Sequence, residues 1–156
     1  MSNWQDTLHF SGKYLAADVQ VCFLHPNTSV KLLFPNTWSV SSSAEQVVEA
    51  TLERLPGLES VVMDTAFTAY CASSACQMSK AWYQLHGQVQ DVPLLDDPVA
   101  LKSIYHLSSI FLPKEVEEGR FVLNFKCQWE EEDGFAIRFH QWQIEETGYW
   151  ATMLLI

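Results

Sequence analysis

Residues Phe121–Trp142 read FVLNFKCQWEEEDGFAIRFHQW. Two alternating runs flank four consecutive acids. In the first run, Phe121, Leu123, Phe125, Cys127 and Trp129 recur at every second position. Arg120, Asn124, Lys126 and Gln128 fall between them, with Val122 the one apolar exception. A β-strand sends successive side chains to opposite faces, so this period of two predicts a buried aromatic stripe on one face of a sheet. In the second run, Phe135, Ile137 and Phe139 alternate with Ala136, Arg138 and His140. Between the runs, Gly134 supplies the backbone freedom for a reversal, and Trp129 and Phe135 anchor the strands below it. The stretch therefore predicts an antiparallel hairpin with an acidic tip at Glu130–Asp133. A tight turn at His140–Trp142 then leads to one more strand over Ile144–Thr147.

Outward from this hairpin the pattern changes twice. Leu15, Ala17, Val19, Val21 and Phe23 alternate, HPNTS (25–29) supplies turn residues, and Val30, Leu32 and Phe34 alternate again. That is a second hairpin. In SSSAEQVVEATLERLPG (41–57) the period lengthens. Ser42 or Ser43 can cap a helix, with Glu45 or Gln46 completing a capping box. Val47, Val48, Thr51, Leu52 and Leu55 share one helical face, and Pro56-Gly57 stops it. Leu58 to Leu85 carries an approximate helical stripe rich in small residues, with Gly87 as its stop. Asp96 or Asp97 can cap a short helix opened by Pro98, and YHLSSIFLP (105–113) reads as a strand. Strands, then helices, then strands is the α+β order: a mostly antiparallel sheet with helices packed on one face. No repeat or linker divides residues 1–156, so a single domain is expected.

The chain has 156 residues, six Trp, five Tyr and nine Phe, enough bulk for a core. Its formal charge of −10 repels phosphates, which disfavours nucleic-acid partners and favours a cationic one. The start, MSNWQDTLHF, has neither a basic region nor a long apolar run and does not read as a signal peptide. No apolar stretch approaches the roughly 20 residues that span a bilayer. Cys22, Cys71, Cys76 and Cys127 form no CxxC pair and read as reduced, mostly buried thiols of a cytoplasmic protein.

Candidate chemistry centres on the tip. Glu130, Glu131, Glu132, Asp133 and His140 are all able to ligate a metal, but adjacent residues diverge, and HExxH, CxxC and the alternating ligands of a calcium loop are missing. There is no GxSxG, no Gly-rich phosphate loop and no Cys-His pairing that spacing picks out. No metal, no cofactor and no catalytic group is expected. Trp38, Trp82, Trp142 and Trp150 have no assigned place. Trp142 and Trp150 read either as interface anchors or as partly buried at a sheet edge.

The block FVLNFKCQWEEEDGFAIRFHQWQIEETG (121–148), about a fifth of the chain, resembles the C-terminal part of small acidic bacterial immunity proteins encoded beside polymorphic or contact-delivered toxins. Their pattern is a strand, Cys or a similar residue, x-Trp, an acid, Glu-Glu-His-Gly, a short apolar strand, and a last strand with Val or Ile ending near Gly. Here the matching positions are Cys127, Trp129, Glu130, Glu131, then Glu132 or Asp133, Gly134, the strand Phe135 to Phe139, Ile144 and Gly148. Asp133 stands where that pattern has His, so no role of the histidine carries over. The resemblance implies a protein that binds and neutralises a cognate toxin, with a basic toxin surface as the complement of an acidic one. Glu130, Glu131, Glu132, Asp133, His140 and Trp142 are the expected partner-binding residues. The competing readings are a small enzyme or metal-binding protein with its site at the tip, and an interaction module unrelated to toxins.

Overall fold

The computed structural model describes residues 4–36, 41–89 and 92–153, so Trp38 lies outside the described residues. Seven strands form one sheet in chain order: β1 (His9–Ser11), β2 (Tyr14–Phe23), β3 (His25–Pro35), β4 (Tyr105–Phe111), β5 (Phe121–Cys127), β6 (Phe135–His140) and β7 (Gln143–Gly148). Neighbours are antiparallel except β3 and β4, which run parallel through Lys31↔Ser109 to Leu33↔Phe111. Parallel neighbours cannot be joined by a hairpin. The crossover between them carries α1 (Ser42–Arg54), α2 (Glu59–Ala72) and α3 (Ser74–His86). A short α4 (Trp150–Met153) follows the sheet. The architecture is the expected α+β one.

The decisive hairpin forms as read. Phe121 pairs with Phe139, Leu123 with Ile137 and Phe125 with Phe135. Phe121, Leu123, Phe125, Cys127 and Trp129 are buried on one side. They join Ala17, Val19, Leu32 and Phe34 of β2 and β3, and Val48, Leu58, Val62, Ala66 and Tyr70 from the crossover, in one core. Phe121 and Phe139 stack with ring centroids 4.8 Å apart.

Several sequence expectations need correction. Asn124, placed on the opposite face, is on that face but fully buried, because Phe111, Val122 and Ala136 form a second cluster there under Tyr14, Leu33 and Trp150. This also explains Val122, the exception in the alternation. The Asn124 Nδ2 donates to Ser109 Oγ at 2.9 Å, while its Oδ1 has no partner among the described residues. The first hairpin reverses at Leu24 (φ 65), not in HPNTS. Those five residues open β3, opposite an irregularity between Val21 and Phe23.

The cap of α1 is Ser41, whose side chain accepts from Ala44 N, rather than Ser42 or Ser43. With alanine at that third position, no side chain is there to complete a capping box. Pro56-Gly57 does not end the helical path. A 3-10 turn, Leu55–Leu58, carries it into α2, since proline is tolerated in a first turn. The segment from Leu58 to Leu85 is broken at Ser73, whose extended backbone (ψ 149) ends α2 and whose hydroxyl caps α3 at Cys76 N. Of the cysteines, only Cys76 and Cys127 are buried. Cys71 is half-buried and Cys22 exposed, and all four are free thiols.

Candidate functional site: the acidic tip and its cleft

Beyond the last pair, Phe125↔Phe135, the chain makes a broad turn. Glu130 closes it from within. Its carbonyl accepts from Gly134 N at 3.1 Å, and its carboxylate lies 3.4 Å from Asp133 N. Glu131, Glu132 and Asp133 face solvent and make no ion pair among the described residues. Gly134 has φ +68, a left-handed conformation that disfavours a side chain. A Cβ there would also lie 2.7 and 2.8 Å from Cδ1 and Cε2 of Trp150. That indole donates from Nε1 to Phe125 O at 3.0 Å, and Trp150 N donates to Asp133 O at 3.2 Å. Trp150, half-buried, thus clamps the base of the tip, which decides in favour of the burial alternative for this tryptophan.

A cleft of about 650 Å³ opens beside the tip. Glu131 and Glu132 line it together with Lys102 and Lys126, which carry the opposite charge, and with His25 and His106. His106 and Lys126 are cross-strand partners in β4 and β5. Burial lowers the His106 pKa, helped by the neighbouring Lys126 and His25. His25 lies 3.0 Å from the Tyr105 carbonyl. Cys127 also borders the cleft, but burial, opposed in part by the backbone hydrogen bonds at Glu130 and Trp129 and aided by the charges of Glu130 and Glu131, pushes its thiol up to about 11. Such a thiol stays protonated at neutral pH and is a poor nucleophile. Burial also raises Tyr105, with Glu59 adding to it, and its hydroxyl has no partner among the described residues. Among the described residues no three His, Cys, Asp or Glu side chains are arranged to hold a metal ion.

His140 and Trp142 are not part of this site. They sit at the opposite end of the β5–β6 hairpin, five residues away along β6, or about 17 Å at the rise of a strand. There the carboxylates are already occupied. Arg138 pairs with Glu145 and Glu146, and His140 lies 3.4 Å from Glu145 and 3.9 Å from Glu117. Trp142 is half-buried, with the Arg54 guanidinium 4.1 Å over its ring, Phe121 5.8 Å away and its N–H bonded to Gly119 O. So partial burial, not exposure as an anchor, describes Trp142. The six residues grouped by sequence therefore split into a tip of four and a packed turn of two. The lysines and histidines of the cleft were missed because they come from separate elements. Only the β4–β5 register places His106 beside Lys126.

The model of one protein family, described as Domain of unknown function (DUF6985), matches residues 4–154. The chain belongs to that family. The match takes in the whole sheet, the tip and the clamping Trp150, so the site just described lies within the family's domain. No curated protein and no solved structure gives a significant match. The family description names no activity, which leaves the chemistry of the tip as the guide to function.

Proposed function

We propose that this protein is an immunity-type protein that binds a cognate protein toxin in the cytoplasm and engages it through the acidic tip rather than by catalysis. One observation carries the reading. Glu131, Glu132 and Asp133 are exposed and have no ion-pair partner among the described residues, yet their backbone is fixed by Glu130, Gly134 and Trp150. At the far end of the hairpin, by contrast, Arg138 and His140 occupy the carboxylates. Pre-organised, unspent charge offers a cationic partner complementarity with little ordering cost. The same charge opposes nucleic acid. Among the described residues no helix is long and apolar enough to cross a membrane.

The test is co-expression with the toxic C-terminal domain encoded next to this gene. Growth should be restored and a stoichiometric complex should co-elute. Glu131→Gln with Glu132→Gln should leave the melting temperature unchanged, slow association about tenfold at low salt and flatten its salt dependence. Failure of every neighbouring domain to bind, or turnover of a substrate in the cleft, would refute the reading. Unchanged association in the double variant would move the interface off the tip.

A further inference from the structure

The second half of α3 projects from the body. Its buried residues are Cys76 and Ser79, whereas all of residues 80–89 are exposed. Large apolar side chains stand exposed on this helix: Leu85 is 78 % exposed, Met78 63 %, Tyr83 51 % and Trp82 38 %. Met78, Trp82 and Leu85 fall at i, i+4 and i+7, about a third of a turn round from the Cys76–Ser79 side. The helix thus has a second apolar face. Its seam consists of Ser74, Met78, Ala81 and Leu85, spaced four, three and four residues apart, the heptad spacing of paired helices. Small and large residues alternate strictly along it.

We propose that α3 is a dimerisation helix on which a second copy of this chain docks antiparallel. Reversed about the middle of α3, the seam is complementary to itself. Ser74 of one copy meets Leu85 of the other, and Met78 meets Ala81, so every level joins a large side chain to a small one. Trp82, its ring tilted against that of His86 with centroids 4.1 Å apart, flanks the seam and closes it. A parallel pair would put large against large and small against small.

Two further features favour a second copy as the occupant. First, a cleft of about 320 Å³ opens beside Ser74, lined also by Ala72, Ser73, Trp129, Glu130 and the half-exposed Tyr149. It lies where Leu85 of the other copy arrives. Second, α3 itself has Lys80 and His86 but no acid, so the two helices set no carboxylates of their own against each other, and Glu130 enters only at the cleft beside Ser74. Tyr83 lies on the far side of the helix, and the exposed area of Met78, Ala81, Trp82, Leu85 and Tyr149 is roughly 500 Å² per copy, so a pair buries about 1,000 Å², the least expected of a specific interface and the size of a weak one.

Light scattering on the full chain after size exclusion, from about 10 to 200 µM, tests this, because interfaces of this size dissociate in the micromolar range. The expected mass rises with concentration toward twice 17.8 kDa, and added salt strengthens the dimer by screening net charge. Leu85→Glu should abolish it with no change in melting temperature. Ala81→Leu should weaken it at least tenfold, because the larger side chain crowds Met78 of the other copy. Met78→Ala in the Ala81→Leu background should restore it by exchanging large for small. A mass of one chain at every concentration would overturn the proposal. So would tighter association of Ala81→Leu, which marks a nonspecific apolar surface, or a seam that takes up only a different protein.

Discussion

The most informative perturbation of the tip is Gly134→Ala, because two separate costs meet at that residue. With φ +68, an alanine there loses about 1–2 kcal/mol in the left-handed region. Its Cβ would also fall inside contact distance of the Trp150 indole, which must swing away. The displaced ring gives up its hydrogen bond to Phe125 O, worth about 1 kcal/mol, and part of its cover over Val122 and Ala136, worth about another 1 kcal/mol. The single substitution should therefore cost about 3–4 kcal/mol. Trp150→Ala alone should cost about 2–3 kcal/mol, as a half-buried aromatic does. In the double variant the collision has vanished, and only the backbone cost adds to the loss of the ring, giving about 4 kcal/mol instead of the roughly 6 of simple addition. The coupling of about 2 kcal/mol is measurable in a double-mutant cycle by urea unfolding followed by far-UV circular dichroism. Additive costs would refute the claim that Trp150 clamps the tip through Gly134.

Phe125→Ala should cost about 3–5 kcal/mol in the same assay, since its fully buried ring touches Phe23, Tyr105 and Phe135. Loss below 1 kcal/mol would mean that the aromatic stripe is not the core. Tyr70→Phe should cost about 1–3 kcal/mol, because the hydroxyl donates to Pro93 O at 2.6 Å and accepts from Leu95 N at 2.9 Å, tying the segment after α3 to α2. Increased proteolysis near residues 92–95 should accompany it. Cys127 makes stability depend on pH on the alkaline side. Its folded pKa of about 11 lies above the ordinary thiol value of 9.0, so its contribution is complete below that ordinary value and is lost as pH rises toward 11. The urea midpoint of the native protein should fall more steeply over this range than that of Cys127→Ala, and equal slopes would contradict the assignment.

What the sequence made legible follows from period. In β5, both the alternation and the antiparallel partner could be read from 22 residues, because Gly134 and the acids mark the turn between two apolar runs. Helix α1 was equally plain, apart from the cap one residue earlier. What failed was non-local. Asn124 reads as a solvent-facing residue unless Trp150, 26 positions later, is known to cover that face. The reversal at Leu24 was hidden because a non-glycine residue adopts φ 65 where HPNTS offered a conventional turn. His140 and Trp142 looked like neighbours of the acidic tip because chain proximity was read as spatial proximity. A strand's rise of about 3.4 Å per residue carries them to the other end of the hairpin.

That separation bears on how the two ends of the hairpin divide their work. At the far end, Gln141 and Trp142 both take positive φ, 54 and 64, in a two-residue turn that usually selects Asn and Gly. The strain persists because Trp142 is held by Arg54, Phe121 and the Gly119 carbonyl, so that turn is committed to packing α1 against the sheet. Its neighbouring carboxylates are committed too, to Arg138 and His140. At the acidic end the arrangement is reversed. Glycine removes the strain, Trp150 supplies the anchoring from the outer face, and the side chains of Glu131, Glu132 and Asp133 make no ion pair among the described residues. Like charges crowded on a turn are an electrostatic cost to folding, small in water, and no ion pair among the described residues offsets it. A feature that the core does not require, built on a backbone that the core holds still, is the arrangement expected of a surface kept for a partner.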